Sequence, residues 1–90
     1  MNKYTVIWAD EATEQLTELW LQAADRQVLT RACDSLEKAL TYDPSNKGED
    51  YFGDRLIAVP PLWAIYEVEP DDLLARVLRV GDINTGISKN

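Results

Sequence analysis

The sequence has 90 residues, of which 46% are apolar and 28% charged, as is typical of a globular protein and not of a disordered or fibrous one. Nine basic and 16 acidic side chains give a net charge of −7, which opposes tight nucleic-acid binding through the phosphate backbone. Histidine is absent and Cys33 is the only cysteine, so an intrachain disulfide is excluded, and we expect a cytoplasmic protein without metal or cofactor.

A chain of this length holds enough core for one domain. We predict a single domain over residues 1–83 and a flexible C-terminal tail over residues 84–90, because the last residues are polar. No stretch approaches the roughly 20 consecutive apolar residues of a membrane span, so we expect no membrane association.

Residues 4–9 predict a first strand, because β-branched and aromatic side chains alternate between its two faces. Asp10 is the expected N-cap of a first helix that ends at about Gln22. The helical spacing of its apolar residues predicts one buried stripe, which includes Trp20: Ala12, Leu16, Leu19, Trp20 and Ala23.

A second helix is predicted from Asp25, which is its expected N-cap, to about Tyr42. Its apolar stripe repeats the same spacing and consists of Leu29, Ala32, Cys33, Leu36 and Leu40. Cys33 is therefore expected to pack as a small apolar side chain. The short joint between the helices indicates an antiparallel pair or one kinked helix.

The second half of the chain changes to a strand pattern after a surface loop at residues 43–50, which is rich in turn formers. Strands are predicted at residues 55–59, 62–69 and 73–80, and three strands in succession favour an antiparallel meander. The last strand has apolar residues on both faces, so we expect it inside the sheet with helices covering one side. Eight residues are predicted to share one core: Leu16, Leu19, Leu29, Leu36, Ala64, Tyr66, Leu78 and Val80.

This order of elements resembles the RelE/ParE superfamily of bacterial toxins from toxin–antitoxin pairs. Residues 8–12, WADEA, look like the family's transition from its first strand into its first helix. Residues 55–59, 62–68 and 77–81 look like its three closing strands, so the resemblance spans residues 3–83. It implies an α+β fold with an N-terminal strand, a helical hairpin and a three-stranded antiparallel meander that completes one sheet. It also implies a bacterial protein of the plasmid-stabilisation type.

Members of this family that cut mRNA on the ribosome use basic side chains, and often a tyrosine, around the scissile phosphate. The basic positions of that site are poorly matched here. Arg55 is followed by Ile57, and Trp63 stands where an arginine typically opens the third strand. Asp82 and Ile83 stand where a basic pair often follows the last strand. The resemblance therefore implies a toxin-like protein without the family's ribonuclease chemistry.

No catalytic residue stands out, and Arg55 and Arg79 are the remaining basic candidates on the predicted sheet. Each has an alternative role, which is to pair with neighbouring carboxylates. Trp63 is the candidate anchor of a partner-binding face that Arg55 and Arg79 would flank, or else a core residue. Tyr66 is expected on the opposite face, under the helices, with its hydroxyl at the edge.

Two functions follow from these candidates. In the first, the domain binds an antitoxin-like protein through its sheet and acts by protein binding. In the second, it is an mRNA interferase with relocated catalytic residues, namely Arg55, Arg76 and Arg79. A ParE-like gyrase inhibitor lies between the two, so gyrase and the ribosome are the alternative targets. A homodimer also stays open.

Overall fold

The computed structural model describes residues 3–83, and the tail predicted for residues 84–90 lies outside the described residues. Two helices and five strands follow in chain order: β1 Thr5–Trp8, α1 Asp10–Gln22, α2 Arg26–Thr41, β2 Glu49–Tyr51, β3 Asp54–Val59, β4 Leu62–Glu69 and β5 Leu74–Asp82. Short 3-10 turns at Pro44–Asn46 and Pro70–Asp72 connect them. Neither described helix is long and apolar enough to cross a membrane.

The five strands form one mixed sheet in the order β1-β5-β4-β3-β2. Strand β1 pairs parallel with β5, and every other neighbouring pair is antiparallel. This confirms the predicted meander and the interior position of the last strand. Strand β2 was not predicted, because three residues beside a cluster of turn formers are too few to show a strand period.

The two helices begin in different ways. Asp25 caps α2 as predicted, because its carboxylate accepts hydrogen bonds from the backbone N–H groups of Gln27 at 3.1 Å and Val28 at 3.3 Å. The predicted cap at Asp10 is wrong by one residue. The N-cap of α1 is Ala9, without a side-chain hydrogen bond, and Asp10 lies in the first turn. There its negative charge lies near the positive end of the helix dipole.

The core lies between the helices and one face of the sheet. Leu36 and Leu40 of α2 are fully buried, and they pack with Ala12 of α1 and with sheet residues Ala64, Tyr66, Ala75, Val77 and Val80. A second cluster joins the helices, because Leu29 and Ala32 of α2 pack with Leu16 and Leu19 of α1. The helices therefore form a packed pair, not a single kinked helix.

Two predicted core residues lie elsewhere. Trp20 is 40% exposed, and the Arg26 guanidinium lies 5.6 Å from the centre of its ring. Trp20 lies at the edge of the apolar stripe of α1, so its ring contacts the side chain of Arg26 and not the sheet. Leu78 is also outside the core, because the β4–β5 register shifts there: Ile65 pairs with Arg79, whereas Tyr66 pairs with Val77. Leu78 is the extra residue of this β-bulge. Strand alternation would have buried its side chain under the helices, but the bulge interrupts the alternation at this point.

Candidate protein-binding face

The sheet has two unlike faces. The helices pack on the face that carries Ala64 and Tyr66. Alternate residues of the strands point to the other side, which we call the open face. On the antiparallel strands it carries Glu49, Tyr51, Asp54, Leu56, Ala58, Trp63, Ile65, Glu67, Glu69, Arg76, Arg79 and Gly81.

Trp63 lies near the end of the open face, between Ala58 of β3 and Gly81 of β5. A Cβ atom at Gly81 would lie 2.3 Å from Cζ2 and 2.7 Å from Nε1 of Trp63, so the indole ring occupies the space that any larger residue would need. The indole N–H is buried and has no hydrogen-bond partner within residues 3–83. Trp63 as a whole is partly exposed. Its ring is therefore held in one position with part of its surface available.

Arg55 of β3 lies on the helix-covered face, where it is the cross-strand partner of Tyr66 of β4. Its Nε donates a hydrogen bond of 2.7 Å to the carbonyl of Lys47, and its Nη2 donates one of 3.0 Å to the carbonyl of Gly48. The buried hydroxyl of Tyr66 lies 2.8 Å from two carbonyl oxygens, those of Pro44 and Lys47. Burial raises the pKa of this hydroxyl, an effect that the nearby guanidinium opposes. Together the two side chains fix the loop between α2 and β2.

The expectation that both arginines flank Trp63 is therefore wrong for Arg55, because strand alternation turns Arg55 to the other side of the sheet. The position expected for Tyr66, on the face opposite Trp63 and under the helices, is confirmed. Arg79 does share the open face with Trp63, because it pairs with Ile65, two residue pairs further along β4 and β5. Of the two arginines that were predicted to flank Trp63, only Arg79 lies on the same face of the sheet.

The basic side chains of the open face have acidic neighbours. Arg76 binds Glu67 and Glu69 through Nη1, at 2.9 Å from Glu69, and the two carboxylates raise the pKa of its guanidinium. Arg79 is exposed, with Nε 3.8 Å from a carboxylate oxygen of Glu11. The three arginines of the enzyme hypothesis therefore do not form one cluster. Within residues 3–83, no group of three acidic, histidine or cysteine side chains is placed to hold a metal ion.

The β2–β3 turn is a surface feature that the sequence analysis missed. Phe52 is 91% exposed, and its ring meets that of Tyr51 edge-on with 4.9 Å between centroids. Phe52 and Gly53 have φ angles of 51° and 93°, as in the tight turns of two-residue hairpins. The glycine at residue 53 was the available signal, but phenylalanine is an unusual residue before it.

Comparison with known proteins rests on structure, since no protein-family model and no curated protein matches this chain. The toxin–antitoxin complex RelBE2 from Mycobacterium tuberculosis superposes with a TM-score of 0.73 at 19% identity, over 91% of this chain and 93% of that one. The chromosomal ParDE system from P. aeruginosa gives 0.66 at 15% identity, over 90% and 97%. The isolated RelE toxin from E. coli gives 0.61 at 17% identity, over 88% and 83%. The chain therefore has the fold of the RelE/ParE toxins.

Proposed function

We propose that this chain is the toxin-like member of a bacterial toxin–antitoxin pair, and that it acts in the cytoplasm by binding proteins, without ribonuclease activity. The observation that carries the proposal is Trp63, which is held against Gly81 on the sheet face opposite the one on which α1 and α2 pack. A large ring already fixed in its bound position loses little entropy when a partner covers it. The proposed partner on this face is an antitoxin-like protein.

The charges of the open face support binding over RNA cleavage. Cleavage of a phosphodiester requires a proton-transfer group and cations that stabilise the charge developing on the phosphate. Two carboxylates bind Arg76, and Arg55 points away from the open face. Glu49, Asp54, Glu67 and Glu69 outnumber the arginines of the face and would repel a phosphate backbone.

A ParE-like gyrase inhibitor is the alternative that needs no nuclease residue. An mRNA interferase would have to depend on Arg79, the one arginine of the open face that is mainly exposed. Expression of the chain alone and with the product of the adjacent gene separates these roles. Growth arrest relieved by the neighbour supports a toxin–antitoxin pair. Assays of ribosome-bound mRNA and of DNA supercoiling then distinguish an interferase from a gyrase inhibitor.

The test of the binding face is Trp63→Ala, with Trp20→Ala as the matched control, because Trp20 is a partly exposed tryptophan on α1. We expect Trp63→Ala to weaken the complex with the neighbour's product by more than about 2 kcal/mol, whereas the control changes it little. Calorimetric titration gives the affinity, and size-exclusion chromatography shows whether the chain instead pairs with itself.

Melting temperatures of both variants separate a binding role from a folding role. If Trp63 acts only as a core residue, its removal lowers the melting temperature by several degrees and affects binding only through unfolding. A folded Trp63→Ala variant with unchanged affinity would eliminate the anchor. In that case Trp63→Phe, which keeps a ring on Gly81, should also bind as the wild type does.

A further inference from the structure

A groove lies on the open face between the β2–β3 turn and the start of α1, with a volume of about 290 Å³. Tyr51 and Phe52 line one side with aromatic rings, and Ile65 and Leu78 contribute apolar surface. Leu78 reaches this groove only because the β-bulge removes it from the core. The groove is therefore lined in part by two aromatic rings and a leucine that do not belong to the hydrophobic core.

The conformation of Phe52 is costly for the free protein. A bulky side chain at φ 51° lies in the left-handed region, where glycine and asparagine are the favoured residues. The side chain is 91% exposed, so burial within the described chain returns almost nothing. The two-residue turn requires this φ angle but not an aromatic side chain, so the sequence places a costly residue at this point. That residue puts an aromatic ring at the mouth of the groove.

The charges around the groove specify its ligand. Glu11, Asp54 and Arg79 line it, which leaves one negative charge in excess. Arg79 approaches Glu11 only to 3.8 Å, and no cation pairs with Asp54 among residues 3–83. Carboxylates beside aromatic rings attract a cation that is also planar and weakly hydrated. We propose that this groove binds an arginine side chain of a partner polypeptide.

Arginine fits better than the other groups that a protein presents. The planar guanidinium can pack against the Tyr51 and Phe52 rings while its N–H groups reach the Asp54 carboxylate. The lysine ammonium, by contrast, is a strongly hydrated point charge. An acidic side chain would add a negative charge to a groove that already has one in excess. The site does not depend on an antitoxin as the partner, since any polypeptide with an exposed arginine meets the requirement.

The probe is the blocked tripeptide Leu-Arg-Leu, titrated into ¹⁵N-labelled full-length protein, with Leu-Lys-Leu and Leu-Glu-Leu as comparisons. We expect Leu-Arg-Leu to shift the amide resonances of residues 51–54 and 78–79. Leu-Lys-Leu should bind more weakly, and Leu-Glu-Leu should not bind. Raising the salt concentration should weaken binding, because the charges are near the surface. An absence of shifts at these residues, or equal binding of the acidic peptide, would overturn the proposal.

Two variants test the site without unfolding the protein. Phe52→Asn should bind the arginine peptide about three- to fivefold more weakly, yet its melting temperature should rise by about 4 °C because asparagine tolerates this φ angle. Asp54→Asn should weaken binding by a similar factor, whereas Leu21→Gln, at an exposed site on α1, should leave it unchanged. If both groove variants bind the peptide as tightly as the wild type, the peptide does not bind in this groove and the proposal is wrong. A lower melting temperature for Phe52→Asn would show that Phe52 serves the fold.

Discussion

At the scale of single residues, two aromatic side chains three residues apart on β4 have opposite roles. Tyr66 is fully buried under the helices and fixes the loop at residues 44–47, whereas Trp63 lies on the open face against Gly81. The alternation of a strand is enough to separate them. The same alternation takes Arg55 away from the open face and gives its guanidinium to backbone carbonyls.

The Tyr66 hydroxyl should make stability depend on alkaline pH. Burial favours its neutral form, so its pKa in the folded state lies above the ordinary value of 10. The neutral hydroxyl therefore contributes fully to the free energy of unfolding below the pKa that Tyr66 has in the unfolded state. This contribution is lost as the pH rises through the pKa of Tyr66 in the folded state. We expect urea unfolding to show a fall in stability above about pH 10 in the wild type.

Tyr66→Phe is the matched variant. It should lose about 0.5–1.5 kcal/mol at neutral pH, because it removes the hydrogen bond of the buried hydroxyl, whereas the Pro44 carbonyl keeps the backbone N–H of Lys47 as a donor at 3.3 Å. It should also lose less stability than the wild type between pH 8 and pH 11. Parallel pH profiles for the two proteins would show that Tyr66 does not titrate in the folded state.

The sequence predicted these side chains unequally, for a physical reason. The faces of Trp63 and Tyr66 follow from strand period, which is local. The partners of Arg55 are carbonyls of Lys47 and Gly48, whose positions depend on the path of the loop after α2. That path is set by tertiary contacts, among them the Tyr66 hydroxyl, so no local pattern reports it.

At the scale of elements, α1 contacts the edge of β5 beyond the point where β1 ends. Strand β1 pairs with β5 only as far as Val77. Beyond that point the side-chain oxygen of Gln15 accepts a hydrogen bond of 2.9 Å from the backbone N–H of Val80. A helical side chain thus satisfies part of a strand edge that would otherwise be open. Helical period predicts α1 correctly but gives no sign of this contact.

Helix α2 packs against the sheet through Leu36 and Leu40, which are both fully buried. Leu36→Ala should reduce the free energy of unfolding by roughly 2–5 kcal/mol, from lost apolar burial and the cavity that remains. Leu21→Ala is the control, since Leu21 of α1 is 62% exposed. Denaturant unfolding compares the two. A change below about 0.5 kcal/mol for Leu36→Ala would contradict its place in the core.

At the scale of the whole molecule, charge governs what the protein can bind. The net charge of −7 and the acidic open face act in the same direction, against polyanions. We expect no codon-specific cleavage of ribosome-bound mRNA and no tight RNA binding at physiological salt. Filter binding and primer extension provide the measurements. Cleavage at catalytic protein concentrations would contradict the prediction.

A charge variant tests whether the acidic side chains of the open face are what prevents RNA binding. Glu67→Gln combined with Glu69→Gln removes the two carboxylates that bind Arg76 and changes the net charge by two units. RNA affinity at low salt should therefore rise relative to the wild type, with a steeper dependence on salt concentration. Unchanged affinity would mean that electrostatics of the open face do not limit RNA binding.

The position of β5 between β1 and β4 has a consequence for synthesis on the ribosome. The first strand has no sheet partner other than β5 among the described strands, and residues 74–82 are translated last of these elements. Until they leave the exit tunnel, the helices have only part of the sheet to pack on, and β1 cannot pair in its native register. Folding must therefore wait for nearly the whole described chain. A nascent chain truncated before β5 should therefore be recognised by chaperones and proteases as unfolded.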